Sequence, residues 1–406
     1  MTVTCLGCGC ACDDVEVGVS EGRIESVAPP CPLARAWFGT GQVPDRVLVG
    51  GRTASLDQAV AAAAELLAGA AGRALVVLAP DLTAGAQRVA IALADLLRAT
   101  VDAATSASAA AGIVAAQRRG RAAATLGEIR NRADVLLFWA VDPTDHYPRY
   151  PERYAPRGGG RTLISVSVGG DRGPVPADLE LTLTPDEETA ALSVVLATVL
   201  GNRVGELPVS LQSAAAVGAR LLQARYAAII HDGEPGREPR SSYRTEGLIA
   251  LAQALNHSTR AALSTLRAGG NRSGAESVLT WQTGYPMAVD FSSGVPRYEP
   301  GRRGLDRAAR GEFDAVLVAG SAAALSKTAE AALARVPVAV IGPRASESRF
   351  QSHVAIDTGV AGIHEPGVGY RMDEVPLPLT PPLSGNRGAA ETLSAVLGAV
   401  RGRLGR

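Results

Sequence analysis

The residues of this sequence best suited to chemistry are its cysteines, which all lie close to the N-terminus. The run TCLGCGCACDD contains Cys5, Cys8, Cys10 and Cys12, and Cys31 follows in APPCPLARAWFG. Cys5, Cys8 and Cys12 have the spacing C-x2-C-x3-C, and Cys31 supplies a distal fourth thiol. Thiolates at such a spacing can hold a cubane iron–sulfur cluster, whose irons are bound by cysteine sulfur. The sequence therefore predicts that Cys5, Cys8, Cys12 and Cys31, hereafter the cysteine quartet, bind a 4Fe–4S cluster, with Cys10 left over.

Two other interpretations of the cysteine quartet stay open. Four thiolates also satisfy a tetrahedral zinc ion, and the segment can instead be a relic that has lost its metal but kept some of the ligands. A disulfide pair is disfavoured, because no secretory signal precedes the cysteines and thiols of cytosolic proteins more often bind metal or react.

The composition is typical of a neutral globular protein with more than one domain. The 406 residues carry 40 basic and 40 acidic side chains, so no net charge attracts nucleic acid or an anionic membrane. No stretch has the ~20 uninterrupted apolar residues that cross a bilayer, and the N-terminus lacks a secretory or twin-arginine signal. We therefore expect a cytoplasmic protein.

After the cysteines, short apolar runs alternate with amphipathic segments. Helices are predicted over 55–71, with Ser55 as the N-cap, over 84–98 and over 389–400. Strands buried on both faces are predicted at the apolar runs 74–79, 134–140, 162–168, 226–231, 314–320 and 337–342. This alternation predicts parallel sheets in α/β layers.

Three long segments interrupt the pattern and are predicted to be loops: 142–160, 269–301 and 362–379. Loops of such length are usually functional or disordered. The second is too rich in aromatic residues for plain disorder and also has arginines nearby, which are residue types enriched at interface hot spots. We therefore expect an interaction surface there, with cofactor contact and inward packing as the alternatives. The residues concerned are Trp281, Tyr285, Phe291, Tyr298, Arg297 and Arg302.

Four separated segments resemble the B subunit of formylmethanofuran dehydrogenase, a member of the molybdopterin oxidoreductase superfamily. They are TCLGCGCACDDVEV with Cys31, TLGEIRNRADVLLFWAVDP, VLTWQTGYPMAVDFSSGVPRY and GVGYRMDEVPLPL, in the order of the family. The resemblance implies an iron–sulfur-type segment over 1–50, followed by two Rossmann-like parallel α/β domains without the C-terminal β-barrel domain of related formate dehydrogenases. The corresponding divisions are 51–168, 169–310 with the long loop, and a returning segment 311–406.

The resemblance also shows a departure from the redox-active members. These have a cysteine or selenocysteine in a Cys-His-Gly-Pro segment that coordinates tungsten or molybdenum, and alignment places Ser108 at that position. The next residues are Ala109, Ala110 and Ala111. A serine hydroxyl is a harder ligand than a thiolate, and alanine side chains donate no hydrogen bond. We therefore expect no catalytic residue and no bound molybdopterin or tungsten.

This loss makes the sequence most similar to the B subunit of the bacterial formyltransferase/hydrolase complex of methanopterin-linked formaldehyde oxidation. The resemblance implies a non-redox structural subunit, whose partners are a formyltransferase, an amidohydrolase-like hydrolase and a C subunit. The alternative is an active tungsten or molybdenum pterin subunit of formylmethanofuran dehydrogenase, an oxidoreductase.

Other candidate residues have simpler explanations. Gly269, Gly270 and Gly274 can approach a dinucleotide phosphate closely, but a plain turn accounts for them better. Four arginines can clamp phosphates, although surface or subunit salt bridges are the simpler explanation. These arginines are Arg149, Arg153, Arg297 and Arg371.

Overall fold

The structure is a computed structural model that describes residues 1–233 and 242–405, and this part of the chain forms two compact units. Unit 1 combines residues 1–107 with the C-terminal part from residue 269, and unit 2 comprises residues 108–268. The divisions at residues 50, 168 and 310 stay predictions.

The helices and strands fall into three successive stretches of the chain. Up to residue 103 they are β1 (Thr2–Val3), β2 (Val15–Ser20), β3 (Arg23–Ala28), α1 (Pro32–Phe38), β4 (Val47–Val49), β5 (Arg52–Thr53), α2 (Leu56–Gly69), β6 (Ala74–Leu78), α3 (Ala84–Leu96) and β7 (Thr100–Ala103). Up to residue 266 they are α4 (Ser106–Arg119), α5 (Leu126–Arg132), β8 (Val135–Trp139), α6 (Pro143–His146), α7 (Tyr150–Arg153), β9 (Thr162–Val168), β10 (Leu179–Leu183), α8 (Glu188–Val199), α9 (Val209–Leu222), β11 (Ala227–Asp232), α10 (Ser242–Leu255) and β12 (Ala261–Leu266). The last are α11 (Arg272–Thr283), β13 (Val289–Asp290), β14 (Arg297–Tyr298), β15 (Ala315–Ala319), α12 (Lys327–Leu333), β16 (Val338–Gly342), β17 (Val354–Asp357), β18 (Gly367–Tyr370), β19 (Pro376–Leu379) and α13 (Ala389–Arg403).

Unit 1 is built on a sheet with the order β14-β13-β7-β6-β15-β16-β17-β4-β5, whose central strands β7, β6, β15, β16 and β17 are parallel. All residues of β6 are buried. Val76 and Leu78 face a core formed with α2, α3, α11 and α13, whereas Leu75 and Val77 face a core that includes α12. The chain leaves β6 toward β7 and later leaves β15 in the other direction toward β16, so a topological switch point lies between β6 and β15.

Unit 2 contains a fully parallel sheet of order β10-β9-β8-β11-β12. Its switch point lies between β8 and β11. A buried polar group stabilises the core beside β8, where Trp139 donates to Glu188 at 2.8 Å and Arg244 forms an ion pair with Glu188.

The predicted α/β class and the main elements are confirmed. Ser55 caps α2 in a capping box with Gln58, and the run 162–168 is β9 over its whole length. The other predicted strands agree within one residue at each end with β6, β8, β11, β15 and β16. Apolar content and cap chemistry thus suffice to locate the buried sheets.

The prediction that 269–301 is a loop without regular structure is wrong. It contains helix α11 and the strand pair β13–β14, and β13 extends the sheet by pairing antiparallel with β7. Asp102 fixes this segment to the end of β7, because its carboxylate accepts hydrogen bonds from the N–H groups of Ala288 and Leu305. The other two predicted loops contain the short helices α6 and α7 and the hairpin β18–β19.

The N-terminal sheet and the character of the helices complete the description of the fold. The N-terminal strands β1, β2 and β3 form a separate three-stranded antiparallel sheet. Among the residues that the structure describes, no helix has the length and apolar character that crossing a membrane requires.

Candidate functional site

The cysteines lie in a tight loop between β1 and β2, hereafter the cysteine loop (residues 5–12), and at the start of α1. The N–H of Cys5 donates to the carbonyl of Cys12 at 2.8 Å, and Ala11 donates to Cys8 at 3.1 Å. Cys31 is the N-cap residue of α1. All five cysteines are buried and none forms a disulfide.

A backbone amide is directed at one of the thiols. The N–H of Gly7 donates to Sγ of Cys5 at 3.3 Å. A Cβ at Gly7 would lie 2.6 Å from the carbonyl oxygen of Leu33, so glycine is required for the close approach of α1. This approach brings the helix that follows Cys31 against the cysteine loop.

The thiols of the cysteine quartet are electrostatic neighbours. Burial raises the pKa of Cys5, the Gly7 N–H opposes this effect, and the nearby thiols of Cys8, Cys12 and Cys31 raise the pKa further. Cys10 is fully buried. Within the described ranges, however, no three His, Cys, Asp or Glu side chains are arranged to hold a metal ion.

A tryptophan of α1 belongs to the surroundings of the cysteine loop. Trp37 packs against a small apolar cluster that includes Leu6 and Ala11 of the loop. Its indole Nε1 is buried and has no hydrogen-bond partner among the residues that the structure describes. A buried donor of this kind costs about 1–3 kcal/mol unless an acceptor is supplied, so Trp37 is a candidate donor to a group held beside the loop.

The expected position of the lost metal ligand lies in a helix. Ser108 and the alanines that follow it are within α4, and the side chain of Ser108 lies outside the described part of the structure. Ala109 is buried, whereas Ala111 is exposed. The backbone therefore places this segment on regular helix instead of an irregular loop.

The switch point of unit 1 carries an acidic residue that the sequence pattern did not indicate. Asp81 follows β6, and its carboxylate accepts a hydrogen bond at 3.0 Å from the N–H of Ser321, which follows β15. Burial raises the pKa of Asp81 to about 6, against the effect of that hydrogen bond. Gly320 and Gly342 lie so close that a Cβ at Gly342 would be 2.3 Å from the Gly320 backbone. A Cβ at Gly320 would likewise lie 2.5 Å from Oδ1 of Asp81, so this carboxylate packs against backbone at the switch point.

The glycines near residue 270 are explained by contacts within the chain. A Cβ at Gly269 would lie 2.4 Å from the carbonyl oxygen of Gly7, and one at Gly270 would lie 2.6 Å from Pro80. A Cβ at Gly274 would lie 2.0 Å from Oδ1 of Asn271. These close approaches favour a structural role over phosphate binding.

Asn271 itself was not predicted as an important residue, although it is fully buried. Its Oδ1 accepts from the N–H of Tyr370 at 2.8 Å, and its Nδ2 donates to the carbonyl of Leu82 at 3.0 Å. Gln87 of α3 donates to the Asn271 carbonyl at 3.0 Å. The only hint in the sequence is a polar residue between glycines.

The aromatic residues of 269–301 divide between core and surface. Phe291 is buried, whereas Trp281 is 59 % exposed. The Trp281 ring meets Tyr370 edge-on, with 5.8 Å between the ring centroids. Tyr285 and Tyr298 stack at 5.0 Å. The Trp281 side chain is therefore open to solvent, and Trp281 together with the adjoining ring of Tyr370 is hereafter called the Trp281 surface.

The candidate arginines have different environments. Arg149 pairs with Glu152, and Arg371 pairs with Asp373 at 2.6 Å. Arg153 lies over the ring of Tyr154. The two arginines near the Trp281 segment differ, because Arg302 pairs with Glu299 and Arg297 is exposed. None of these contacts gathers the arginines into one anion site.

Comparison with known proteins gives several related sequences. The chain is 28 % identical over 403 residues to the B subunit of tungsten-containing formylmethanofuran dehydrogenase 2 of Methanocaldococcus jannaschii, and 29 % identical over 411 residues to that of Methanococcus maripaludis. Each match covers 93 % of this chain and 92 % of the relative. It is 30 % identical over 276 residues to the B subunit of the formyltransferase/hydrolase complex Fhc of Methylorubrum extorquens, a match that covers 66 % of this chain and 73 % of that protein.

A solved structure shares the fold. It is a chain of the crystal structure of the formyltransferase/hydrolase complex FhcABCD from Methylorubrum extorquens in complex with methylofuran. The superposition has a TM-score of 0.75 at 26 % identity and covers 89 % of this chain and 100 % of the other. No protein-family model matches the chain.

Proposed function

The chain belongs to the family of formylmethanofuran dehydrogenase B subunits, and we propose that it is the non-redox B subunit of a formyltransferase/hydrolase complex in methanopterin-linked oxidation of formaldehyde to formate. The observation that carries this proposal is the likeness to a chain of FhcABCD, which is matched over its entire length. The partners of the chain are then a formyltransferase, an amidohydrolase-like hydrolase and a C subunit.

The chemistry of such a complex does not require electrons from this subunit. A formyl group that is transferred to a carrier and then released by hydrolysis changes neither oxidation state nor electron count. The replacement of the metal-binding cysteine by Ser108, followed by alanines, is compatible with this role because a hydroxyl is a poor substitute for a soft thiolate ligand. The second candidate is an active tungsten or molybdenum oxidoreductase subunit, because two relatives are B subunits of tungsten-containing formylmethanofuran dehydrogenase.

The finer architecture belongs to the same proposal. We infer an iron–sulfur-type segment followed by two Rossmann-like domains, as in formate dehydrogenases and DMSO reductases. Two observations support it: each unit contains a mainly parallel central sheet, and each of these sheets has a topological switch point.

The cysteine quartet is proposed to hold a 4Fe–4S cluster, which when bound supplies one-electron transfer or a structural cross-link. The mutual influence of the quartet thiols and the Gly7 N–H at Cys5 fit such a group, as does the buried Nε1 of Trp37. Zinc needs its thiolates about 2.3 Å from a single ion, whereas a cubane spreads them over different irons. Zinc therefore stays the alternative to a cluster, and metal analysis of the purified chain distinguishes the two. Five reduced cysteines also fit a cytoplasmic location.

The Trp281 surface is proposed to contact another subunit of the complex. Its exposure disfavours inward packing as the explanation for Trp281. An exposed tryptophan beside a second aromatic ring has the composition of interface hot spots. The occupant is one of the complex subunits, because the matched chain comes from a four-subunit assembly.

The experiment that tests the function is purification of the tagged full-length chain from its own cells under anaerobic conditions. We expect the formyltransferase and hydrolase subunits to co-purify in fixed proportion and the preparation to convert a formyl carrier to formate without an electron acceptor. Reduction of a viologen dye together with stoichiometric tungsten or molybdenum would contradict the proposal and establish the oxidoreductase. A Ser108→Cys variant serves as a control and should remain inactive toward the dye, because the neighbouring histidine is also replaced.

A further inference from the structure

The side chain of Asn271 connects elements that are far apart in the sequence of unit 1. It accepts from Tyr370 in β18 and donates to the carbonyl of Leu82 beside α3, while a longer contact of 3.4 Å reaches the carbonyl of Val368. Its backbone N–H donates to Pro80 at 2.5 Å. One buried amide therefore holds the hairpin β18–β19 against the chain that leaves β6.

The residues next to these contacts hold the cysteine loop. The N–H of Gly270, immediately before Asn271, donates to the carbonyl of Leu6 at 2.7 Å. The N–H of Met372, just after Tyr370, donates to the carbonyl of Gly9 at 2.9 Å. The cysteine loop is thus bonded on one side by the neighbour of Asn271 and on the other by the hairpin that Asn271 fixes.

We propose that Asn271 is a positioning residue for the cysteine loop. It keeps the loop closed and thereby keeps the thiols buried and arranged for their ligand. An unpaired buried amide or carbonyl is costly in free energy. Loss of the Asn271 side chain therefore weakens both the contact with the hairpin β18–β19 and the hydrogen bond that Gly270 donates to the cysteine loop. Local opening of the loop, without unfolding of the whole unit, then becomes more frequent.

The first test measures opening of the loop with a maleimide reagent on the reduced, metal-free, full-length chain. Labelling of each cysteine is followed by peptide mass spectrometry under native conditions. We expect Asn271→Ala to speed labelling of Cys5, Cys8 and Cys12 by about 10-fold or more, because the buried polar groups left unpaired favour opening of the loop. Gln87→Met, a milder change, removes the hydrogen bond to the Asn271 carbonyl and should act in the same direction to a smaller degree.

The matched control is Leu93→Ala. Leu93 is fully buried in α3 in the core of the same unit, and its loss lowers the stability of the unit without removing a bond to the loop. Urea unfolding of every variant gives the change in overall stability. If Leu93→Ala speeds labelling as much as Asn271→Ala does at equal loss of stability, the positioning role is wrong. It is equally wrong if neither Asn271→Ala nor Gln87→Met speeds labelling.

The metal part of this inference rests on the proposed function of the cysteine quartet and has its own readout. After reconstitution with iron and sulfide, the Asn271→Ala chain should lose iron to a chelator about 10-fold faster or more than the unmodified chain. If the unmodified chain takes up no iron, the proposed cluster fails, while the labelling experiment still decides the role of Asn271.

Discussion

Replacement of Trp281 by alanine tests the proposed interface most directly. The tryptophan is 59 % exposed in the isolated chain, so a partner that covers it buries roughly 150 Å² if a tryptophan offers ~250 Å². At ~25 cal/mol per Å² this area contributes about 3–4 kcal/mol to binding. Ordering of the side chain costs about 1 kcal/mol. We therefore expect Trp281→Ala to weaken subunit affinity by about 2–3 kcal/mol, or roughly 30- to 150-fold in Kd.

The assay compares the assembled complex with the isolated chain. Dissociation on dilution, followed by light scattering or sedimentation, gives the affinity, and urea unfolding of the isolated chain gives its stability. Trp281→Phe keeps part of the apolar area, so its subunit affinity should lie between that of the unmodified chain and that of Trp281→Ala. Val209→Ala is the matched control, since Val209 is 82 % exposed at the start of α9 in unit 2.

Two results would refute the reasoning about the Trp281 surface. If the complex forms with unchanged affinity while the isolated chain loses stability, Trp281 supports the fold through Tyr370 and the interface lies elsewhere. If Val209→Ala weakens assembly as strongly as Trp281→Ala, the effect is not specific to this surface. Retained assembly with loss of a bound pterin would support the rival explanation, cofactor contact.

The remaining predictions concern the cysteine loop and a buried histidine. Anaerobically purified protein should be brown and hold about four irons per chain, and serine at any position of the cysteine quartet should bleach it. Cys10→Ser should leave the colour unchanged. Equal bleaching by Cys10→Ser would argue against the quartet as the set of cluster ligands. Trp37→Phe should leave the metal-free chain as stable or more stable, because it removes an unpaired donor. The same variant should lose iron faster. Unchanged iron loss would indicate that the Nε1 of Trp37 donates to water instead of the cluster. His364 accepts from the N–H of Val360 and bonds the carbonyl of Gly41, and burial lowers its pKa below 6.5. The unfolded chain therefore binds the extra proton, and stability falls as pH drops below about 6.5. In urea titrations at several pH values, the free energy of unfolding of His364→Gln should depend less on pH than that of the unmodified chain. An equal pH dependence in both chains would contradict the role of His364.

Strands and capped helices of this fold can be predicted from sequence because their determinants are local. The six apolar residues 74–79 predict β6, and Ser55 as an N-cap residue predicts the start of α2. Helix α11 is not indicated by the sequence because glycine and polar residues dilute its apolar stripe, and packing against α3 stabilises it instead. The two-residue strand β13 is defined by its pairing with β7 and β14, and no local pattern specifies the distant partner β7.

The candidate site divides in the same way. The spacing of the cysteine quartet is a local feature and is visible in the sequence. Asn271 and Trp37 act through contacts with residues far along the chain, so nothing near either residue indicates its partner. Burial raises the pKa of Asp81, and the N–H of Ser321, which β15 brings to its carboxylate, opposes this effect. Both depend on residues far along the chain.

The discontinuity of unit 1 has a consequence for biosynthesis. Unit 2 is a single stretch of chain and can fold as a unit while translation continues. Strand β6 must wait for β15, its parallel neighbour from the far end of the sequence. Met372, which bonds the cysteine loop, is made roughly 340 residues after Cys31, a delay of roughly 17–70 s at ~5–20 residues per second. The cysteines leave the ribosome first and are enclosed late, so the proposed cluster would be inserted after most of the chain has been made.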